Sequence, residues 1–234
     1  MKKKLVFLIL VLPVLMLVLV GCGSDEPVAE EVEEESVAQE PVVEEIEPEI
    51  EEEAQLLTEA IDINDFPVSE ERPTVEIYIE DHGMIVVELF PEFAPMTVEN
   101  FLNLVEDGFY DGLTFHRIIA GFMMQGGCPE GEGFGGSGEY IVGEFTANGI
   151  PNPIMHTRGV LSMARSMDFD SASSQFFIMH EDSPWLDHEY AAFGRVVEGI
   201  EVVDAVVANV TPLDGNGTID PAEHPVIREA RIVN

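Results

Sequence analysis

The stretch FHRIIAGFMMQGG, residues 115–127, places Arg117 among aromatic, aliphatic and thioether side chains and ends in two glycines. The chain has 10 Lys and Arg against 46 Asp and Glu, and its three lysines are residues 2–4, so seven arginines supply every later cation of this kind. A guanidinium keeps its charge and donates several hydrogen bonds in a fixed plane. Arg117 is therefore the first candidate for chemistry, as a fixed donor beside an apolar surface.

The sequence contains no motif that supports a serine nucleophile or a metal site. No serine lies in a G-x-S-x-G motif, since GGSGE at residues 135–139 lacks the second glycine. The loop DGNGTID at residues 214–220 begins like a calcium loop, but it has Ile219 where glycine should stand and Pro225 where the closing glutamate should stand. Zinc-ligand spacing is missing among His116, His156, His180, His188 and His224. We therefore expect no metal and no cofactor, and we interpret this loop as a solvated turn.

The elements that must hold these side chains are mostly short strands. TVEIYIE alternates apolar Val75, Ile77 and Ile79 with polar residues, and GMIVVELF follows after a turn at His82 and Gly83. Alternation with period two on both sides of a short turn predicts a β-hairpin. Six further apolar runs predict strands: LTFHRII, FMMQGG, VLSMAR, SQFFIMH, YAAFGRVV and PVIREARIV.

Two segments show helical spacing instead. APMTVENFLNLVEDGFYDG repeats apolar residues every three to four positions and ends at Gly108, and GIEVVDAVVANV at residues 199–210 is the second candidate. Many short strands, glycine-rich turns and two helices are typical of an all-β barrel with helices over its open ends. The sequence thus predicts a mainly β fold, a closed antiparallel barrel.

Four segments then reveal a resemblance. FHRIIAGFMMQGG, HTRGVLSMA, SQFFI, and WLD with FGRV resemble the cyclophilin family of peptidyl-prolyl cis/trans isomerases in order and in spacing. The resemblance covers roughly residues 74–233. It implies an eight-stranded antiparallel barrel capped by two helices, which agrees with the elements read from periodicity. It also implies an enzyme that accelerates rotation about X-Pro bonds.

Such a reaction needs neither a nucleophile nor a metal. Rotation about an X-Pro bond must break amide resonance against a barrier of roughly 20 kcal/mol, but no covalent bond changes. As the bond twists, the proline nitrogen gains lone-pair character, so a fixed donor stabilises the transition state more than the planar ground state. We therefore expect Arg117 to be the catalytic donor.

The resemblance implies a pocket for the proline ring. A ring without an N–H requires only apolar complementarity, with methionine as an adaptable wall. By resemblance, this pocket is formed by Phe122, Met123, Phe177 and Leu186. Gln125 corresponds to a residue that orients the arginine and contacts the peptide backbone. Trp185 corresponds to the rim, which the macrocyclic inhibitor cyclosporin also contacts in the family.

Three further positions carry over from the family pattern, two of them with changes. Ala164 and Arg165 stand where the family pairs its backbone with the substrate, although the family commonly has asparagine at the latter position. Tyr190 stands where many eukaryotic relatives have a histidine that packs against the proline. Because an aromatic face remains at Tyr190, we expect activity to survive and cyclosporin affinity to fall.

The N-terminus predicts export. MKKK precedes an apolar run from Leu5 to Val20 and the small-residue site at Gly21 and Cys22, a pattern typical of a secretion signal. LVGC resembles the lipobox of bacterial lipoproteins, in which the cysteine carries lipid such as palmitate. We expect residues 1–21 to be the signal peptide and Cys22 to anchor the protein to the outer face of the bacterial cell membrane. An uncleaved anchor with an incidental cysteine is the alternative. Since Cys128 is the only other cysteine, lipidation leaves no intrachain disulfide, and we expect Cys128 to be buried or half-buried.

An acidic segment follows. Between Gly23 and Glu71 there is no Lys, Arg or His, and Glu recurs with Val, Pro and Ala. Such composition predicts a disordered stalk over residues 22–72, ahead of an isomerase domain at 73–234. An acidic docking segment is the alternative, and EEEAQLLTEAI could form a weak helical turn.

Charge and family together limit the partners. A formal net charge of -36 argues against basic patches for nucleic acid or an anionic membrane surface. We expect a monomer that acts on proline-containing segments of unfolded or exported proteins. A binding module or holdase with little turnover is the alternative function.

Overall fold

The computed structural model describes residues 59–234, so the predicted signal peptide, Cys22 and the acidic segment up to residue 58 lie outside the described residues. Each of its strands and long helices overlaps a stretch predicted above. The strands are β1 (Thr74–Ile79), β2 (Gly83–Leu89), β3 (Thr114–Ile119), β4 (Met123–Cys128), β5 (Val160–Met163), β6 (Phe176–Met179), β7 (Ala192–Glu198) and β8 (Ile227–Ile232). The helices are α1 (Pro95–Glu106) and α2 (Ile200–Asn209). Neither helix has the length and apolar character that would let it cross a membrane, within residues 59–234.

The strands form one antiparallel sheet in the order β3-β4-β6-β5-β7-β2-β1-β8. The sheet curls into a half-barrel but stays open, with β3 and β8 at its edges, so the prediction of a closed barrel is wrong. A loop explains the opening. The Ile118 amide of β3 donates to the Gly217 carbonyl at 2.8 Å, and the backbones of Arg117 and Thr218 form an isolated antiparallel β-bridge. Because the 214–219 loop occupies the outer edge of β3 at Arg117 and Ile118, the chain that leads into β8 meets that edge only at the isolated Thr114–Val226 bridge.

The predicted hairpin is confirmed, and the alternation of apolar and polar residues along β1 places its apolar side chains in the core. β1 and β2 pair from Thr74 opposite Glu88 to Ile79 opposite Gly83. The apolar positions of β1 point inward and are at most 1% exposed. They join the buried faces of both helices in the main hydrophobic cluster. A second cluster lies beneath the predicted site and includes Ile63, Phe90, Met123, Phe177, Met179 and Leu186.

A distant carboxylate fixes the start of α1. Glu144, 1% exposed, accepts hydrogen bonds from the amides of Met96 and Thr97 at 3.0 and 2.7 Å, and from the Thr97 hydroxyl at 2.6 Å. The first amides of a helix have no partner within the helix, and negative charge is favourable there. Glu144 therefore ties α1 to the loop that precedes β5.

Residues 59–72, which the sequence analysis assigned to the stalk, contact the domain. Ile61 forms a parallel bridge with Ile154, and Ile63 is fully buried in the second cluster. The Phe66 ring lies 6.1 Å from the ring of Phe90. The packed chain therefore begins upstream of residue 73.

Candidate active site

A cavity of about 130 Å³ lies where β3, β4 and β6 meet the loop after β6. Cavities of about 150 Å³ hold a ring the size of benzene. The predicted catalytic and substrate-binding residues, except Trp185, line this cavity: Arg117, Phe122, Met123, Gln125, Ala164, Arg165, Phe177, Leu186 and Tyr190. Trp185 stands at the rim, 65% exposed, with its ring 5.7 Å from the ring of Phe122. Their roles in the reaction stay predictions.

Strand register brings the central residues together. Arg117 on β3 lies opposite Gln125 on β4, and Gln125 lies opposite Phe177 on β6. Residues opposite each other across adjacent strands have neighbouring side chains on the same face of a sheet. Met123 shares this face with Gln125 because side chains alternate along β4, while Met124 between them is buried in the main cluster.

The Arg117 guanidinium is held from two sides. Its Nε donates to the Asn216 carbonyl at 2.8 Å, and its Nη1 donates to Gln125 Oε1 at 3.2 Å. Burial lowers the pKa of Arg117, and the nearby Asp214 carboxylate acts in the opposite direction. Because an arginine starts from such a high pKa, the group stays charged at any physiological pH. The site thus offers a fixed, partly desolvated cation.

A second glutamine extends this network. Gln125 Nε2 donates to Gln175 Oε1 at 2.9 Å, and Gln175 Nε2 donates to the carbonyls of Gly133 and Gly135 at 3.0 and 2.7 Å. A backbone carbonyl can only accept a hydrogen bond, so the two carbonyls require the amide nitrogen of Gln175 to face them. The amide oxygen of Gln175 then faces Gln125 and accepts from its nitrogen. The oxygen of Gln125 is therefore directed toward Arg117. Gln175 was not among the predicted site residues, although it stands within SQFFI, a motif that carries the resemblance.

The loop that holds the arginine is the one that resembled a calcium site. Asp214 accepts from the amides of Asn216 and Thr218 at 2.9 and 3.1 Å, and hydrogen bonds from Thr218 lower the pKa of its carboxyl group. Gly217 has a φ of 84°, and a Cβ there would lie 2.3 Å from Ile119. Among residues 59–234, no three His, Cys, Asp or Glu side chains form a group that could hold a metal. This turn presents the Asn216 carbonyl to Arg117, a role that sequence spacing did not signal.

One histidine beside the site is unusual. His116 is 6% exposed, and both ring nitrogens are buried without a hydrogen-bond partner among the described residues. Burial lowers its pKa to about 4, and repulsion from His224 and Arg117 adds to the shift. His116 is therefore neutral near pH 7 and adds no charge beside Arg117.

Comparisons with known proteins agree with this geometry. The family model of the cyclophilin type peptidyl-prolyl cis-trans isomerases matches residues 74–232. The chain belongs to the cyclophilin family. Peptidyl-prolyl cis-trans isomerase B of Bacillus subtilis is 50% identical over 123 residues, which are 53% of this chain and 82% of the relative. A peptidyl-prolyl cis-trans isomerase of Helicobacter pylori is 47% identical over 126 residues, covering 53% and 74%.

A solved structure is similar to this cyclophilin as well. The cyclophilin type isomerase of Cryptosporidium parvum, crystallised in the presence of the dipeptide Ala-Pro, superposes with a TM-score of 0.60 at 32% identity. The match covers 69% of this chain and 99% of the other. The fold is thus that of the family over the whole length of a solved relative.

The side chain of Arg165 has a structural task in this cyclophilin. Its Nε and Nη2 donate to the Glu189 carbonyl at 3.0 and 2.8 Å, and its Nη1 donates to the Ser166 carbonyl at 3.0 Å. The guanidinium carbon lies 4.6 Å from the centre of the Tyr190 ring. Arg165 therefore fixes both the backbone before Tyr190 and the face of its ring. Sequence patterns indicated no contact for the side chain of Arg165, because Glu189 and Tyr190 lie 24 and 25 residues away.

Tyr190 is packed on its other side by the pocket wall. Its ring lies 5.8 Å from the ring of Phe177 at an interplanar angle of 83°, an edge-to-face pair. The ring of Tyr190, which stands where many eukaryotic relatives have a histidine, is thus held between Phe177 and Arg165. Ala164 lines the same cavity, and its amide already donates to the Gln175 carbonyl at 3.0 Å.

We expect Tyr190→Phe to keep most of the activity and Tyr190→Ala to lower kcat/KM by roughly tenfold, which corresponds to about 1.4 kcal/mol. Phenylalanine keeps the aromatic ring that lines the cavity, whereas alanine removes this ring and admits water beside the guanidinium. The measurement is kcat/KM on one proline peptide across pH 6 to 8. Tyr78→Ala is the matched control, because Tyr78 also packs on an arginine, Arg228 at 5.8 Å, but away from the pocket. An equal collapse of the Phe and Ala variants would contradict the packing role of the ring.

Cys128 behaves as a buried structural residue, as predicted. It is 1% exposed, and its Sγ accepts from the amides of Gly133 and Gly135 at 3.3 and 3.4 Å. The thiol therefore orders the glycine-rich loop whose carbonyls hold Gln175.

Proposed function

We propose that this cyclophilin isomerises X-Pro bonds by noncovalent stabilisation of the twisted amide, with Arg117 as the electrostatic donor. The observation that carries this proposal is the fixed guanidinium beside an apolar cavity of the size of one ring. Peptidyl-prolyl cis-trans isomerase activity is the function of the family and of the named relatives. The alternative of a binding module with little turnover is therefore not favoured.

The proposed reaction begins with the proline ring in the cavity formed by Phe122, Met123, Phe177 and Leu186. As the amide twists out of plane, the proline nitrogen becomes a hydrogen-bond acceptor and its charge distribution favours a nearby cation. The contacts to Asn216 and Gln125 involve Nε and Nη1 of Arg117, so we assign the donation to Nη2. Because the arginine is already oriented, little reorganisation is required when the transition state forms.

The substrates in this proposal are proline-containing segments of unfolded or exported proteins. The presence of Ala-Pro with the Cryptosporidium relative supports a proline dipeptide as the minimal ligand. A protease-coupled peptide isomerisation assay on the purified protein tests the activity directly. Cleavage kinetics of an X-Pro peptide that do not accelerate with added protein would leave the binding module as the function.

For location, we propose that the protein is exported and anchored by lipid on Cys22, with an acidic stalk between the anchor and the domain. The support comes from the sequence alone: a cationic start, an apolar run, LVGC and a segment without cations. We propose a monomer, since a single prolyl site requires no second copy. The protein would then bind its substrates, unfolded exported proteins, close to the membrane from which they emerge.

We expect Cys22→Ser to release the protein from the membrane fraction or to leave its signal peptide uncleaved. The reason is that only a cysteine thiol can receive the lipid in a lipoprotein signal, so serine removes the anchor and keeps the size of the side chain. Fractionation of cells, with the mass of the N-terminal peptide, measures both effects. A variant that remains membrane-bound and is processed like the wild type would contradict the lipoprotein proposal.

A further inference from the structure

Two Asn-Gly pairs occur among residues 59–234, at residues 148–149 and 216–217. Their backbones are alike. Gly149 and Gly217 have φ angles of 81° and 84°, and the amide of each donates to the carbonyl three residues earlier, at 2.9 and 3.2 Å. Each glycine thus closes a tight turn in the left-handed conformation, which residues with a Cβ rarely adopt. A difference in reactivity between the two pairs must therefore come from the asparagine side chains.

The two asparagine side chains are held very differently. The Nδ2 of Asn148 donates to the Gly143 carbonyl at 2.8 Å and to the Asp170 carboxylate at 2.9 Å. The side chain of Asn216 is exposed and has no hydrogen-bond partner within residues 59–234, where only its backbone is bonded. The side-chain amide of Asn216 can therefore rotate toward the backbone nitrogen of Gly217, whereas that of Asn148 is tethered away from such a movement.

An untethered asparagine before a glycine is prone to deamidation, since asparagine is chemically labile and glycine has no Cβ to hinder the approach. The backbone nitrogen of the glycine attacks the side-chain carbonyl carbon, a C–N bond forms, and the amide group leaves as ammonia with the proton of that nitrogen. Water then opens the cyclic imide at one of its two C–N bonds. Cleavage of the bond to the side-chain carbonyl gives aspartate. Cleavage of the bond to the main-chain carbonyl gives isoaspartate, in which the chain runs through the former side chain.

We propose that Asn216 is a deamidation site, where attack by the Gly217 nitrogen and hydrolysis by water give aspartate or isoaspartate, and that Asn148 is protected by its tether. The modification itself is independent of the isomerase function, and only its effect on activity rests on that function. Both products place a carboxylate at residue 216 in place of a neutral amide. In isoaspartate this carboxylate is the former main-chain carbonyl, the group that accepts from Arg117 Nε at 2.8 Å.

The isoaspartate product changes the contact that orients Arg117. A hydrogen bond to a carboxylate is shorter and stronger than one to a neutral carbonyl, so the guanidinium is drawn toward residue 216 and its charge is compensated there. The chain to Gly217 also becomes one atom longer, which displaces the Gly217 carbonyl from the Ile118 amide that donates to it at 2.8 Å. Because small displacements of a catalytic group slow a reaction strongly, we expect the modified protein to lose at least about tenfold in kcat/KM.

The test compares the two asparagines within one sample. Purified protein is incubated at mildly alkaline pH, digested with trypsin and analysed by mass spectrometry for the replacement of the amide NH2 by OH. Trypsin places the two asparagines in separate peptides, because Arg158, Arg165 and Arg195 lie between them. The kcat/KM on a proline peptide is measured for each sample before and after incubation, and the loss is expressed relative to the starting value. Asn216→Gln is the matched control, since its longer side chain would have to close a larger ring, which forms far more slowly.

We expect Asn216 to deamidate at least about tenfold faster than Asn148, where two hydrogen bonds, one of them to a carboxylate, must break first. The kcat/KM of wild type should fall in step with the unmodified fraction of Asn216, while the Asn216→Gln variant keeps its own starting value. Equal rates at the two asparagines, or no reaction at Asn216, would overturn the site. Extensive modification with unchanged kcat/KM would overturn its effect on Arg117. A wild type that is inactive before incubation would refute the isomerase proposal separately, and the two deamidation rates would still decide on the site.

Discussion

Arg117→Ala lowers kcat/KM for proline peptides by about two to three orders of magnitude, the usual effect of removing one preorganised donor from a transition state. The arginine contributes no buried apolar surface to either hydrophobic cluster, so the variant remains folded. Its partners are the carbonyl of Asn216, an exposed residue, and the side chain of the half-buried Gln125, so water replaces the lost donors. Circular dichroism and the protease-coupled assay on the same sample separate activity from folding.

Two further variants sharpen this prediction. Arg231→Ala is the matched control, because Arg231 is an exposed arginine paired with Glu76 on the far edge of the sheet. Arg117→Lys keeps the charge but loses the planar fork that reaches two partners at once, so its activity should fall between wild type and the alanine variant. A folded Arg117→Ala variant with activity within threefold of wild type would rule out Arg117 as the main electrostatic contributor.

Arg195→Met lowers the free energy of unfolding by about 3–5 kcal/mol, the range found when one partner of a buried ion pair is removed. Glu88 is fully buried and accepts from Arg195 Nε and Nη2 at 3.0 and 2.8 Å. Arg195 Nη1 also donates to the Ile63 carbonyl, so the same change loosens the segment that precedes β1. The remaining partners of Glu88 are the Ser69 amide at 2.7 Å and Arg72 at 3.5 Å, which compensate only part of the loss.

Urea denaturation followed by tryptophan fluorescence measures this change. Arg231→Met removes an exposed ion pair and should cost less than about 1 kcal/mol. The double variant Glu88→Gln with Arg195→Met no longer buries an uncompensated charge, so it should be more stable than Arg195→Met alone. A loss below about 1 kcal/mol for Arg195→Met would show that the buried pair does not fix the N-terminal segment.

The local elements could be predicted because their signals lie in adjacent residues. Alternation in TVEIYIE and GMIVVELF marks the hairpin, and apolar residues three to four apart mark α1. The pocket residues could be assigned because their motifs resemble those of the cyclophilin family, and the register of β3, β4 and β6 then brings Arg117, Gln125 and Phe177 side by side. The resemblance, more than the chemistry of neighbouring residues, thus accounts for the prediction of the site.

The errors and omissions all involve distant partners. The open sheet results from the 214–219 loop pairing with β3, about 100 residues earlier in the chain. The acidic composition before residue 72 predicted disorder, yet Ile61, Ile63 and Phe66 find apolar partners on the domain. Arg165 was interpreted through its backbone, because the position of its side chain against Tyr190 depends on two loops that meet only in the fold. Periodicity carries no information about such contacts.

In the proposed reaction, Arg117 stabilises the twisted amide more than the planar one. The most direct measurement determines the ground-state Kd and the catalysed exchange rate of one Ala-Pro peptide by NMR, for wild type and Arg117→Ala. We predict that Kd changes by less than about threefold while the exchange rate in the complex falls by about two to three orders of magnitude. A Kd weakened by that full factor, with an unchanged exchange rate in the complex, would contradict it and make Arg117 a residue for substrate binding alone.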